Sequence, residues 1–94
     1  IFKMCDNLYC VEVRGMGLAF EERRIRLGLN ITYYRRARRI TQMQLADRVN
    51  VSSCYISQIE RGLKTVSLPT LMKIADALEI AEMRLLDFSR SEKY

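Results

Sequence analysis

The strongest constraint in this chain is a pair of helices too short to stand alone, joined by three residues. Thr41-Gln42-Met43-Gln44 is a T-x-x-Q capping box. The threonine hydroxyl accepts from the third helical amide, and the glutamine reaches back to the cap. Leu45, Ala46 and Val49 supply a buried stripe. The helix ends at Asn50, a residue that tolerates left-handed dihedrals. Ser52 caps the next helix, Ile56 and Ile59 face inward, and Gly62 closes it. Helices of about eight residues are marginal in water by themselves. They must therefore pack on each other and on further apolar faces. Val51 is placed to plug their corner, and Ala46 lets a neighbouring helix approach closely.

The flanking sequence supplies those faces. Leu27, Ile31 and Tyr34 recur at i, i+4 and i+7, one face of a helix running to about Arg38. Leu18 to Leu27 has helix-forming composition but a poor apolar stripe. Ser67 caps a fourth helix, with Pro69 in its first turn, where a missing amide does no harm. Leu68, Leu71, Ile74, Ala75 and Leu78 form its stripe. A short fifth helix, about Glu82 to Asp87, can present Met83 and Leu86, with Leu85 a third candidate. The polar tail 89–94 is expected to fray. Residues 1–17 read differently. Leu8-Tyr9-Cys10-Val11-Glu12-Val13 is rich in strand formers, and Gly15-Met16-Gly17 breaks the pattern as a linker. The expectation is one all-α domain over 18–88 with a short N-terminal arm at 1–17, strand-like or disordered. The chain opens on Ile1, and Met4 and Met16 are candidate starts, so part of the arm need not be native.

Composition narrows the chemistry. A chain of 94 residues holds one domain and buries only about 60–65% of the surface its unfolded form exposes. It has no histidine, which removes the commonest general base and metal ligand. No nucleophile–base pair is placed suggestively, so an enzyme is not expected. Cys5 and Cys10 lie at C-x4-C spacing without a second pair, a weak zinc signal; no metal or cofactor is expected. No apolar run approaches the roughly 18 residues of a membrane span, and no export signal is evident. Reduced thiols in a cytoplasm follow.

The net charge of +5 is concentrated. Residues 23–48 hold eight arginines against the single acid Asp47, a local +7. Such a block is either a solvated helix face or an electrostatic footprint for nucleic acid.

The motif series is specific. Thr41-Gln42-x-x-Leu45-Ala46, Asn50-Val51-Ser52, Ile56-Ser57-Gln58-Ile59-Glu60-Arg61-Gly62 and Leu68-Pro69-Thr70-Leu71-x-x-Ile74-Ala75-x-Ala77-Leu78 resemble the phage repressor and Cro (XRE-like) helix-turn-helix family. The match runs over about residues 27–87. The resemblance implies a five-helix lambda-repressor-like domain, no cofactor, and binding of double-stranded DNA as a two-fold dimer. It implies that Ser53, Cys54, Ser57 and Gln58 read bases. A glutamine amide can pair bidentately with adenine. It places Gln42, Ser52, Arg61, Lys64 and Thr65 on phosphates, and makes Arg35 and Glu60 a structural ion pair between the first and third helices. Arg38 and Arg39 join the phosphate side as part of the basic rim, with Arg36 and Arg48. Tyr55 has two readings, a phosphate contact or packing on the fourth helix. Dimerisation falls to the C-terminal surface, with Met83, Leu86 and Phe88 as candidates, or to the arm. Three departures stand out. Arg39 and Asn50 occupy positions where the family commonly has glycine, and Val66 replaces a frequent proline.

The function expected is a small DNA-binding repressor or autoregulator that acts by occupying its operator. A phage-like repressor, a restriction–modification controller and an antitoxin with a toxin partner all fit. The rival is a protein-interaction module that bridges factors without reading DNA sequence.

Overall fold

The computed structural model describes residues 19–89. The expected arm at 1–17 and the tail beyond residue 89 lie outside the described residues. Five helices follow one another there: α1 Phe20–Ala37, α2 Gln42–Val49, α3 Ser53–Glu60, α4 Leu68–Leu78 and α5 Glu82–Leu85.

The local signals act as their chemistry requires. The Thr41 hydroxyl accepts from the Gln44 amide at 3.0 Å, and the Gln44 side chain accepts from the Thr41 amide at 2.8 Å. The Ser52 and Ser67 hydroxyls accept from the amides of Tyr55 and Thr70. Asn50 ends α2 in the left-handed region at φ 68°, and Gly62 turns the chain after α3 at φ 74°. Arg39 takes φ 59° at the α1–α2 corner, and Glu79 takes φ 60° after α4. Both carry a Cβ through a conformation that suits glycine better.

The core gathers one stripe from every helix. Ile31 and Tyr34 come from α1, Leu45, Ala46 and Val49 from α2, and Ile56 and Ile59 from α3. Leu71, Ile74, Ala75 and Leu78 come from α4, and Leu85 from α5. Val51, at the α2–α3 corner, is half-buried against this cluster. Each fully buried aliphatic side chain contributes about 1.5–3 kcal/mol relative to exposure. That term holds the short helices in place where propensity alone would not.

Four expectations change. The first helix begins at Phe20, well before the apolar stripe starts at Leu27. Its leading turns carry Glu21 and Glu22, which favour a helix N-terminus. The fourth stripe does not include Leu68, which is 65% exposed at the start of α4. The fifth helix is shorter than expected, and Leu85 is its inward residue. Met83 is 75% exposed.

Arg24 and Arg26 are structural. Arg24 Nε donates to the Gly62 carbonyl at 2.7 Å, and Arg26 Nη1 donates to the Phe88 carbonyl at 3.1 Å. Asn30, fully buried, donates from Nδ2 to the carbonyls of Leu85 and Asp87 at 2.7 and 3.0 Å. These carbonyls at the end of α5 would otherwise be orphaned. Gly28 lets α1 and α3 touch. A Cβ there would lie 2.4 Å from the Ile59 carbonyl oxygen and 2.6 Å from that of Glu60.

Candidate nucleic-acid interface

The candidate surface is the outer face of α3 with its surroundings. Ile56 and Ile59 turn into the core, so Ser53, Cys54, Ser57 and Gln58 fall on the opposite side. Cys54 is exposed with a free thiol, and the other three are half-buried. The face carries no charge. Its hydroxyls and amide are donors and acceptors of the kind that read base edges in a major groove about 12 Å wide.

The helix is anchored at both ends. At its start, the Ser52 oxygen accepts from the Tyr55 amide, which leaves the hydroxyl proton available to donate. At its end, Glu60 sits in a buried network. Arg35 Nε donates to Glu60 Oε2 at 2.6 Å and Arg35 Nη2 to Oε1 at 3.1 Å. The third arm, Nη1, donates to the Ile40 carbonyl at 2.9 Å. The side chains are only 10% and 3% exposed. A planar fork on a carboxylate fixes both angle and distance. The pair implied by the resemblance therefore ties α1 to the end of α3.

Gln42, at the start of α2, joins the same network. Its Nε2 donates to Glu60 Oε1 at 2.8 Å. An ionised carboxylate only accepts, so this contact sets which way the amide points. The resemblance implied a phosphate contact for Gln42, and the sequence gave no sign of this tether.

Cations approach α3 from two sides. Arg36 and Arg39 line a shallow groove with Thr41, Gln42 and Ser53, so basic groups run from the end of α1 to the first turn of α3. On the far side, Arg61 caps α3, and Lys64 and Thr65 stand exposed in the following loop.

Other members of the arginine block point elsewhere. Arg38 donates from Nη1 to Glu79 Oε1 and from Nη2 to the Glu79 carbonyl, at 3.0 and 3.1 Å. This exposed pair spans the ends of α1 and α4. Arg48 reaches the Ala77 carbonyl at 3.4 Å. Tyr55 is half-buried against the core, the packing alternative of its two readings. Tyr34 is a core residue stacked edge-on against exposed Tyr33, with ring centroids 5.0 Å apart.

Among the described residues, no group of three His, Cys, Asp or Glu side chains is placed to hold a metal ion. No helix there is long and apolar enough to cross a membrane.

A helix-turn-helix family model matches residues 31–84, more than half of the chain. The chain belongs to the helix-turn-helix family. The immunity repressor protein of Bacillus phage phi105 is 43% identical over 54 residues, covering 57% of this chain and 38% of the repressor. The chain thus spans about two-fifths of the length of that relative. Among solved structures, the restriction-modification controller protein C.AhdI from Aeromonas hydrophila superposes with a TM-score of 0.64 at 31% identity, covering 65% of this chain and 92% of that one. The P22 c2 repressor, solved in complex with a synthetic operator, superposes with a TM-score of 0.63 at 30% identity, covering 67% of this chain and 96% of that one. The solved controller and repressor share the all-helical architecture described above. The antitoxin expectation gains no support from these relatives.

Proposed function

We propose that this protein is a sequence-specific double-stranded DNA-binding transcription regulator, a repressor or autoregulator that works by occupying its operator in the cytoplasm. The observation that carries this reading is the layout of α3. A neutral face of Ser53, Cys54, Ser57 and Gln58 is flanked by Arg36 and Arg39 on one side and by Arg61 and Lys64 on the other. Phosphate contacts supply affinity and register, and base edges supply choice of site. Gln58 is the principal base reader, through a bidentate amide contact to adenine. Gln42, Ser52, Arg39, Arg61, Lys64 and Thr65 hold the flanking phosphates. Similarity to a phage repressor and to an operator-bound repressor supports the same reading.

The working species in this proposal is a homodimer on a two-fold operator, with half-sites about 34 Å apart. Met83 is the candidate contact most open to a partner. Leu86 and Phe88 line a groove against α1 instead.

A salt titration tests the function. Affinity for a cognate duplex should fall linearly on a log–log plot against salt and stay well above that for random duplex throughout. Equal affinity for every duplex would return the chain to the rival reading, a bridge between proteins.

A further inference from the structure

The leading turns of α1 and the C-terminal segment enclose a second surface, away from the four base-reading side chains. Phe20, Leu27, Val66, Leu86 and Phe88 give it a mostly apolar lining, and Arg23 and Arg24 share its wall. Phe20 is 59% exposed and Leu86 45% exposed. Hydrogen bonds brace both walls: Arg24 holds the Gly62 carbonyl, and Arg26 holds that of Phe88. The groove is therefore preformed, and an occupant would not have to organise it.

The chain itself indicates what fits. The first described residue is Ala19, and the next, Phe20, lines the groove. Residues 1–18 thus join the fold at the groove's edge. Within them, Tyr9, Val11 and Val13 make an apolar row of period two, which one side of an extended segment would present. Within residues 8–13 the one charged residue is Glu12, on the side opposite that row. Residues 14–19 form the connection and include Gly15 and Gly17. At about 3.3 Å per residue they reach roughly 20 Å, and the glycines permit a reversal.

We propose that residues 8–13 of this same chain dock in this groove, with Tyr9, Val11 and Val13 against Phe20, Leu27 and Leu86. The docked segment also lies on Thr65 and Val66, in the loop that follows α3. It would thereby stiffen one flank of the proposed DNA surface. The inference does not depend on DNA binding, and its test uses none.

The test is disulfide trapping in the full-length chain with the three native cysteines changed to serine. Val11→Cys is combined either with Leu86→Cys in the groove or with Glu21→Cys outside it. Both partner positions are exposed, so neither change empties the core. Position 21 is nearer along the tether, so tethering alone favours it. Docking predicts that the Leu86 pair closes within one chain about ten-fold faster than the Glu21 pair, because docking raises the local thiol concentration. Equal or slower closure overturns the proposal. Disulfides between chains at Leu86 would also overturn it, by showing that a second copy fills the groove.

Discussion

Replacing Glu60 by alanine should remove a large part of the stability of the domain. Glu60 accepts two hydrogen bonds from Arg35 and one from Gln42, and the side chains of the ion pair are 10% and 3% exposed. Alanine would strand the Arg35 guanidinium beside α3 with only the Ile40 carbonyl as a described partner. Removing one member of a buried pair costs about 3–5 kcal/mol. A domain of this size has a total stability of only about 4–10 kcal/mol. At about 4–8 °C per kcal/mol, Tm should fall by at least roughly 12 °C. The attraction itself is offset by desolvation, so removing both charges together should cost much less. The double variant Arg35→Met with Glu60→Leu should therefore recover at least about 2 kcal/mol relative to Glu60→Ala. Urea unfolding of the wild type, Arg35→Met, Glu60→Ala, Glu60→Leu and the double variant measures this. A loss below about 1 kcal/mol for Glu60→Ala would place the pair in the class of exposed salt bridges and refute the reasoning. So would a double variant no more stable than Glu60→Ala.

Gly28→Ala should destabilise by about 1–3 kcal/mol, because its Cβ meets backbone carbonyls of α3 rather than a flexible side chain; an unchanged urea midpoint would show that α1 and α3 can part without cost. Gln58→Ala should cost about 1–3 kcal/mol on the cognate duplex and relax preference at one base pair; a uniform loss on all duplexes would remove Gln58 from the reading set. Lys64→Ala should weaken every duplex alike and reduce the salt slope by about one, and a change of preferred sequence would contradict its phosphate role. Arg38→Ala should leave the salt slope unchanged, because its guanidinium is held by Glu79, and a flattened slope would place Arg38 in the phosphate set.

The parts of the fold governed by local chemistry were legible in the sequence. Thr41 with Gln44, Ser52 and Ser67 mark helix starts because a side-chain oxygen must satisfy an orphan amide. Asn50 marks an end because the left-handed turn tolerates it. What escaped depends on who meets whom. The stripe of α4 was expected to include Leu68, but that side chain, in the first turn, is exposed. Asn30 and Gly28 gave no periodic signal, since one caps a distant helix end and the other marks a close helix crossing. In the arginine block, each side chain's partner decides its role. Arg35 meets buried Glu60, Arg24 and Arg26 meet backbone carbonyls, and Arg38 meets Glu79. Arg36 and Arg39, together with the paired Arg35, line the groove beside Ser53. The outer face of α3, the proposed reading surface, was legible as the side opposite Ile56 and Ile59. The Gln42–Glu60 tether was not, because nothing in their spacing brings α2 and α3 into that register.

In the proposed function, α3 chooses a DNA site with a neutral face while arginine and lysine supply attraction. Selection of bound duplexes from a random pool tests it most directly. The expected result is enrichment of one short element, repeated with two-fold symmetry about one helical turn apart, and loss of that enrichment with Gln58→Ala combined with Ser57→Ala. A pool that stays random after repeated rounds at low salt would contradict it.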